Sequence, residues 1–128
     1  MPEQKLGQIP GSGGSARLEK MVGITRTKDI VMRSKRIGAR QLEWGIATEC
    51  VPDAELESAT DRLVDELRTF SPLAQRTAKK LLNDTEDSTL AIAIELEGHC
   101  YSRLRLSEDF KEGVEAFNAK RPPKFIGR

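Results

Sequence analysis

Only one stretch of this 128-residue chain, Ile46 to Val51, reads as a β-strand, and Pro52 ends it. A chain with one candidate strand cannot build a sheet of its own, so its regular structure must be helical. From Asp53 onward apolar residues recur at helical spacing. Asp53 is placed to cap a helix carrying Leu56, Ala59, Leu63, Val64 and Leu67. Ser71-Pro72 pairs an N-cap with proline at the first helical position, where a missing N–H costs nothing, and opens a helix with Leu73, Thr77, Ala78, Leu81 and Leu82. Ser88 opens the longest helix, whose broad apolar face includes Leu90, Ile94, Cys100, Tyr101 and Leu104. Ser107-Glu108-Asp109 starts the last helix with acids where the helix dipole favours them, and Phe110, Val114 and Phe117 are expected to form its buried stripe.

Before residue 53 the elements are shorter. Gly7, Gly11, Gly13 and Gly14, with Pro10 among them, mark a tight exposed loop. A helix with Leu18, Met21 and Val22 begins at about Ser15 and stops at Gly23. A second is expected from Thr25 to about Arg33, and a third from about Ala39 to Trp44, closed by Gly45. Aromatic residues make up only 5%, so the core must come from Leu, Ile, Val and Ala. The 21 basic and 20 acidic residues nearly cancel, so bulk charge points to neither nucleic acid nor a membrane. Nothing reads as a signal peptide and no apolar run could span a bilayer, which makes the cytoplasm the expected location.

Few side chains are arranged for chemistry. Residues Gly11, Gly13 and Ala16 satisfy a loose dinucleotide fingerprint, but no buried strand precedes them, so a turn into a helix is the simpler reading. The loop's backbone N–H groups could still face a ligand. His99 is the sole histidine, which excludes a histidine pair on a metal, and it points about 100° away from Cys100 on a helix. Cys100 reads as a core residue, and the acids between Glu55 and Glu66 as a solvated face.

Glu3 stands out because of what surrounds it. The run Pro2-Glu3, Gly7, Ile9-Pro10-Gly11-Ser12-Gly13-Gly14, Arg17-Leu18 closely resembles a signature of the enoyl-CoA hydratase/isomerase (crotonase) family. Further matches follow in order: Gly23, Arg36-Ile37-Gly38-Ala39, Gly45-Ile46-Ala47, Val51-Pro52, Ser71-Pro72, Lys79, Glu112-Gly113, Ala116-Phe117, Lys120-Arg121 and Phe125. The resemblance covers essentially the whole chain.

It implies a mainly α structure, the C-terminal helical part of a crotonase-like (ClpP/crotonase) α/β fold with at most one or two short strands. Residues 1–52 would end the spiral core, and residues 53–128 would form the helical, trimerising region. Family enzymes hold an acyl-CoA thioester oxygen with two backbone N–H groups while an enolate forms. Hydratases add two glutamates that handle water. Glu3 matches the second of these. The first glutamate and the oxyanion-hole N–H groups come, in the family, from sequence that precedes the Pro-Glu pair, so the chain is expected to be a truncated one with little activity alone. Gly11, Gly13 and Gly14 would shape the acyl-pocket wall, and Tyr101, Phe117 and Lys120 match positions that reach coenzyme A. The implied partners are an acyl-CoA thioester and further copies of the chain, as a homotrimer or a dimer of trimers. Coenzyme A belongs to the substrate, and no other cofactor or metal is implied. Isomerase, dehydratase, thioester-hydrolase or ring-hydrolase chemistry, and a non-catalytic helical oligomerisation module, are the competing readings.

Overall fold

The computed structural model describes residues 1–128, apart from the side chains of residues 40–42, and shows six α-helices and no strand among the described residues. These are α1 (Gly14–Val22), α2 (Ile24–Met32), α3 (Leu56–Arg68), α4 (Pro72–Thr85), α5 (Leu90–Leu104) and α6 (Glu108–Asn118). Short 3-10 helices occupy Glu3–Leu6, Ala39–Trp44 and Asp53–Glu55. The chain divides into two compact units, Met1–Leu56 and Glu57–Arg128.

In the first unit Gly23 separates α1 from α2 with φ 80° and ψ 162°, a backbone conformation open to glycine, and the chain turns so that the two helices pack together. Their inner faces form a small core of Leu18, Val22 and Ile30, with Met1, Val31, Trp44 and Ile46 against it. Ile30 is its centre, only 1% exposed. The strand expected at residues 46–51 does not form. Among the described residues no second strand is present to take up its N–H and C=O groups, and Ile46 is half-buried against the helical core instead. The Ala39–Trp44 segment is a 3-10 helix rather than an α-helix, and one 3-10 turn, Glu3–Leu6, precedes the glycine-rich loop.

In the second unit the serine caps form as expected. Ser71 Oγ accepts from the Ala74 N–H at 3.1 Å, and Ser107 Oγ from the Phe110 N–H at 3.0 Å. Two caps fall elsewhere. Thr89, not Ser88, caps α5, accepting from Ile92 N–H at 3.4 Å. Asp53 lies inside its own 3-10 turn and does not cap α3. The apolar stripe of α6 is not buried: Phe117 is 83% exposed, and only Asp109 and Ala116 of that helix are buried. Cys100 is half-buried rather than a core residue, and Cys50 is exposed.

Two α-helices end in the same way. After α2, Lys35 N–H donates to Ile30 O at 2.9 Å and Ser34 N–H to Val31 O at 3.1 Å, with Ser34 at φ 49°. After α6, Arg121 N–H donates to Ala116 O at 3.0 Å and Lys120 N–H to Phe117 O at 3.2 Å, with Lys120 at φ 52°. This paired closure satisfies the last carbonyls and requires a left-handed residue, a place where glycine is favoured. Ser34 carries a second cost, because its hydroxyl is buried with no hydrogen-bond partner. Ser34→Gly is therefore expected to raise stability by about 1 kcal/mol. Ile30→Ala should lower it by about 3 kcal/mol. Urea unfolding followed by Trp44 fluorescence reads both, since Trp44 packs on this core.

Candidate functional site

Glu3 starts the first 3-10 helix, whose end is closed by Gly7 at φ 69°; Gln8 N–H donates to Glu3 O at 3.0 Å and Gly7 N–H to Gln4 O at 3.2 Å. These bonds hold the Glu3 backbone in place. Its side chain is half-buried, and Oε2 is out of contact with solvent without a hydrogen-bond partner. A carboxylate oxygen in that state is costly.

The glycine-rich loop turns directly into α1. Gly14 N–H donates to Gly11 O at 3.0 Å, Gly13 sits at φ 80° as the N-cap, and Arg17 Nη1 donates to Ser12 O at 2.8 Å. Gly14 packs closely: a methyl built on it would lie 3.3 Å from Met1 Cε and 3.4 Å from Pro10 Cβ. Gly11, by contrast, has open space around it. The loop thus touches Met1, two residues before Glu3.

The other predicted positions lie on the second unit. Tyr101 of α5 and Phe117 of α6 both line an apolar groove of about 430 Å³, together with Leu104, Phe110, Val114 and Phe125. Arg105 spans it, with Cζ 5.7 Å from the centre of the Tyr101 ring and 5.5 Å from that of Phe110. Lys120 does not line this groove; it is exposed and serves as the left-handed residue that closes α6.

Two carboxylates not singled out from the sequence organise this end of the molecule. Asp109 is only 2% exposed. Ser71 Oγ donates to its Oδ2 at 2.5 Å, Ile126 N–H donates to Oδ1 at 2.7 Å, and Gly127 N–H lies 3.0 Å from both oxygens. Burial pushes the Asp109 carboxyl up, but the Ser71 hydroxyl, the two N–H groups and the charge of Arg76 outweigh it and hold it below its ordinary value. Glu112 receives Arg121 Nη1 at 2.6 Å, Arg121 Nη2 at 2.9 Å and the Lys124 N–H at 2.7 Å. The guanidinium, then the N–H, pull Glu112 down to about 2. The signal for Glu112 was its paired basic tail; for Asp109 nothing local exists, because Ser71 is 38 residues away.

Both pKa values are lower in the folded chain than in the unfolded one. Their stabilisation is complete above the ordinary carboxylate range and is lost as pH falls through the folded values, about 2 for Glu112. Urea midpoints should therefore be flat above about pH 5 and decline below it, and Glu112→Gln should flatten part of that acid limb.

Among the described residues no group of three or more His, Cys, Asp or Glu side chains is placed to hold a metal, and no helix is long and apolar enough to cross a membrane. The family model described as Enoyl-CoA hydratase/isomerase matches residues 1–128. A 2,3-dehydroadipyl-CoA hydratase of Escherichia coli is 35% identical over 130 residues, covering 100% of this chain and 51% of the relative. A 1,2-epoxyphenylacetyl-CoA isomerase of the same organism is also 35% identical over 130 residues, covering 100% of this chain and 49% of the relative. The crystal structure of an enoyl-CoA hydratase from Bacillus anthracis superposes with a TM-score of 0.95 at 30% identity, over 99% of this chain and 50% of that one. The chain spans about half the length of the curated relatives it matches. Its fold is the helical, C-terminal-like part of the crotonase fold, and the chain belongs to the enoyl-CoA hydratase/isomerase family.

Proposed function

We propose that these residues form part of an enoyl-CoA hydratase-like enzyme, one that adds water to a 2-enoyl-CoA thioester by way of a stabilised enolate. The observation that carries this reading is the buried, unpartnered Oε2 of Glu3, held by a closed turn beside the glycine-rich loop. Water addition needs a group that takes a proton from water as oxygen bonds to the β-carbon, and a proton delivered to the α-carbon as the enolate collapses. Glu3 is the residue of this chain suited to the proton transfer on water. Gly11, Gly13 and Gly14 would line the acyl pocket. Coenzyme A enters as part of the substrate, and Tyr101, Phe117 and Lys120 would reach the coenzyme A bound to a neighbouring copy of the chain.

Oxyanion-hole N–H groups precede the Pro-Glu pair in the family that the sequence resembles. The reading therefore expects little turnover from these 128 residues alone. The exposed apolar faces of α3 and α5 support association into a homotrimer or a dimer of trimers, and a cytoplasmic setting remains part of the proposal. A second reading, double-bond isomerisation, draws on the 33% identity to an enoyl-CoA isomerase/hydratase of Mycosarcoma maydis.

The test fuses this chain to the N-terminal half of a hydratase relative and follows loss of the conjugated thioester absorbance, with the unfused chain beside it. The fusion should hydrate, and Glu3→Gln should lower kcat by about a hundredfold or more with little change in KM. Double-bond migration without hydration would move the assignment to isomerase. Hydration by the unfused chain, abolished by Glu3→Gln, would show that the oxyanion hole lies within residues 1–128. A discrete oligomer without thioester chemistry would favour an oligomerisation module.

A further inference from the structure

The last eight residues form no regular element, yet they are held at three backbone N–H groups. Pro122 and Pro123 have no N–H to offer, so the amides that can anchor this segment beyond Arg121 begin at Lys124. Those of Lys124, Ile126 and Gly127 all donate to side-chain carboxylates of α6, and the Asp109 N–H returns a bond to Arg128 O at 3.0 Å. Apolar burial adds little: Ile126 is exposed and Phe125 is half-buried. The ring of Phe125 nevertheless covers Gly113, where an added methyl would meet Cε1 at 3.4 Å, and it forms one wall of the apolar groove.

Much of what holds α6 lies outside this segment: its Ser107 cap and the Lys120 N–H bond to Phe117 O serve its two ends, whereas the segment adds one bond at each end, from the Asp109 N–H to Arg128 O and from the Arg121 N–H to Ala116 O. Helix and segment therefore have separable sources of stability.

We infer that residues 121–128 are a detachable strap, clasped to α6 by the carboxylates of Asp109 and Glu112, whose release uncovers the Phe125 side of the groove while α6 stays folded. Asp109 and Glu112 are three residues apart and so share one face of the helix. Each closes a different half of the strap, Glu112 the Arg121–Lys124 half and Asp109 the Ile126–Gly127 half. The groups that face the two carboxylates themselves are positive. Arg76 from α4 faces Asp109 and donates to Gly127 O at 3.3 Å. Arg121 and Lys124 face Glu112, with Glu115 beside Arg121, while Arg128 pairs with Glu108 at 3.3 Å. Neutralising either carboxylate leaves this positive charge without its partner and the N–H groups without a charged acceptor.

Amide hydrogen exchange by NMR on the full chain, corrected for intrinsic rates, tests this. At neutral pH Asp109→Asn should speed exchange at Ile126 and Gly127 about tenfold or more and remove the nuclear Overhauser contact between Phe125 and Gly113, while the amides of Val114 to Ala116 stay protected. Glu112→Gln should do the same at Lys124. On acidifying the unaltered chain, strap amides should lose protection before those of α6. Equal loss in strap and helix would make the segment an inseparable part of α6, and unchanged strap exchange would remove the carboxylates from the clasp; either overturns the inference. Should Asp109→Asn fail to fold, the Glu112→Gln variant and the acid series decide it alone.

Discussion

The carboxylate of Asp109 joins three parts of the second unit that share no ladder or helix: the start of α4, the first turn of α6 and the C-terminal segment. Burying a charge is unfavourable unless hydrogen bonds replace its water, and here they do, from a hydroxyl and two backbone N–H groups. Ser71 contributes twice. Its oxygen accepts from Ala74 N–H, which caps α4, while its proton goes to Asp109. The start of one helix and the seat of the tail are therefore set by the same pair of side chains. Losing the carboxylate would orphan the Ser71 hydroxyl and the Ile126 and Gly127 N–H groups, which is why a single polar site outweighs its small area.

That polar organisation matters because apolar burial is sparse. The buried hydrophobic side chains among the described residues are Leu18, Val22, Ile30, Ala59 and Ala116, whereas Leu6, Met32, Leu82, Leu90, Ile94 and Leu106 are all more than half exposed. Helix α5 carries apolar residues around much of its circumference, a pattern suited to burial on several sides. Surface of this kind is what further polypeptide or another copy covers. The helices are held as helices by their caps and closures, and their faces remain available for packing.

Local chemistry was legible in the sequence and long-range consequence was not. Ser71-Pro72 and Ser107 announced helix starts because a hydroxyl cap acts within three residues. Ser88 misled only because Thr89 beside it offers the same group. The strand at residues 46–51 was inferred from side-chain character alone, but a strand also needs a neighbour, and none is present among the described residues. The stripe Phe110, Val114, Phe117 was correctly one face of α6, but periodicity does not say what lies opposite it. Asp109 had the local signature of any first-turn acid. Its burial depends on Ser71 and on Gly127, both distant in sequence, so no window of the sequence could contain the reason. Gly7 and Gly13 were legible as a motif, because turns that need positive φ leave glycine as their mark.

The two oxygens most exposed to question, Glu3 Oε2 and Asp109 Oδ1, illustrate how the same group serves opposite ends. Asp109 is surrounded by donors that favour its charged form and hold its proton off, which makes it a poor acid or base near neutrality and a good anchor. Glu3 is held through its backbone while one carboxylate oxygen is left without a donor. The backbone bonds of the Glu3–Leu6 turn instead go to closing the turn, with Gly7 adopting the left-handed geometry that makes the closure possible. Glu3 is thus held through its backbone with one carboxylate oxygen unpartnered, whereas Asp109 is held through its side chain, and it is at the C-terminal clasp that a carboxylate organises the packing of this chain.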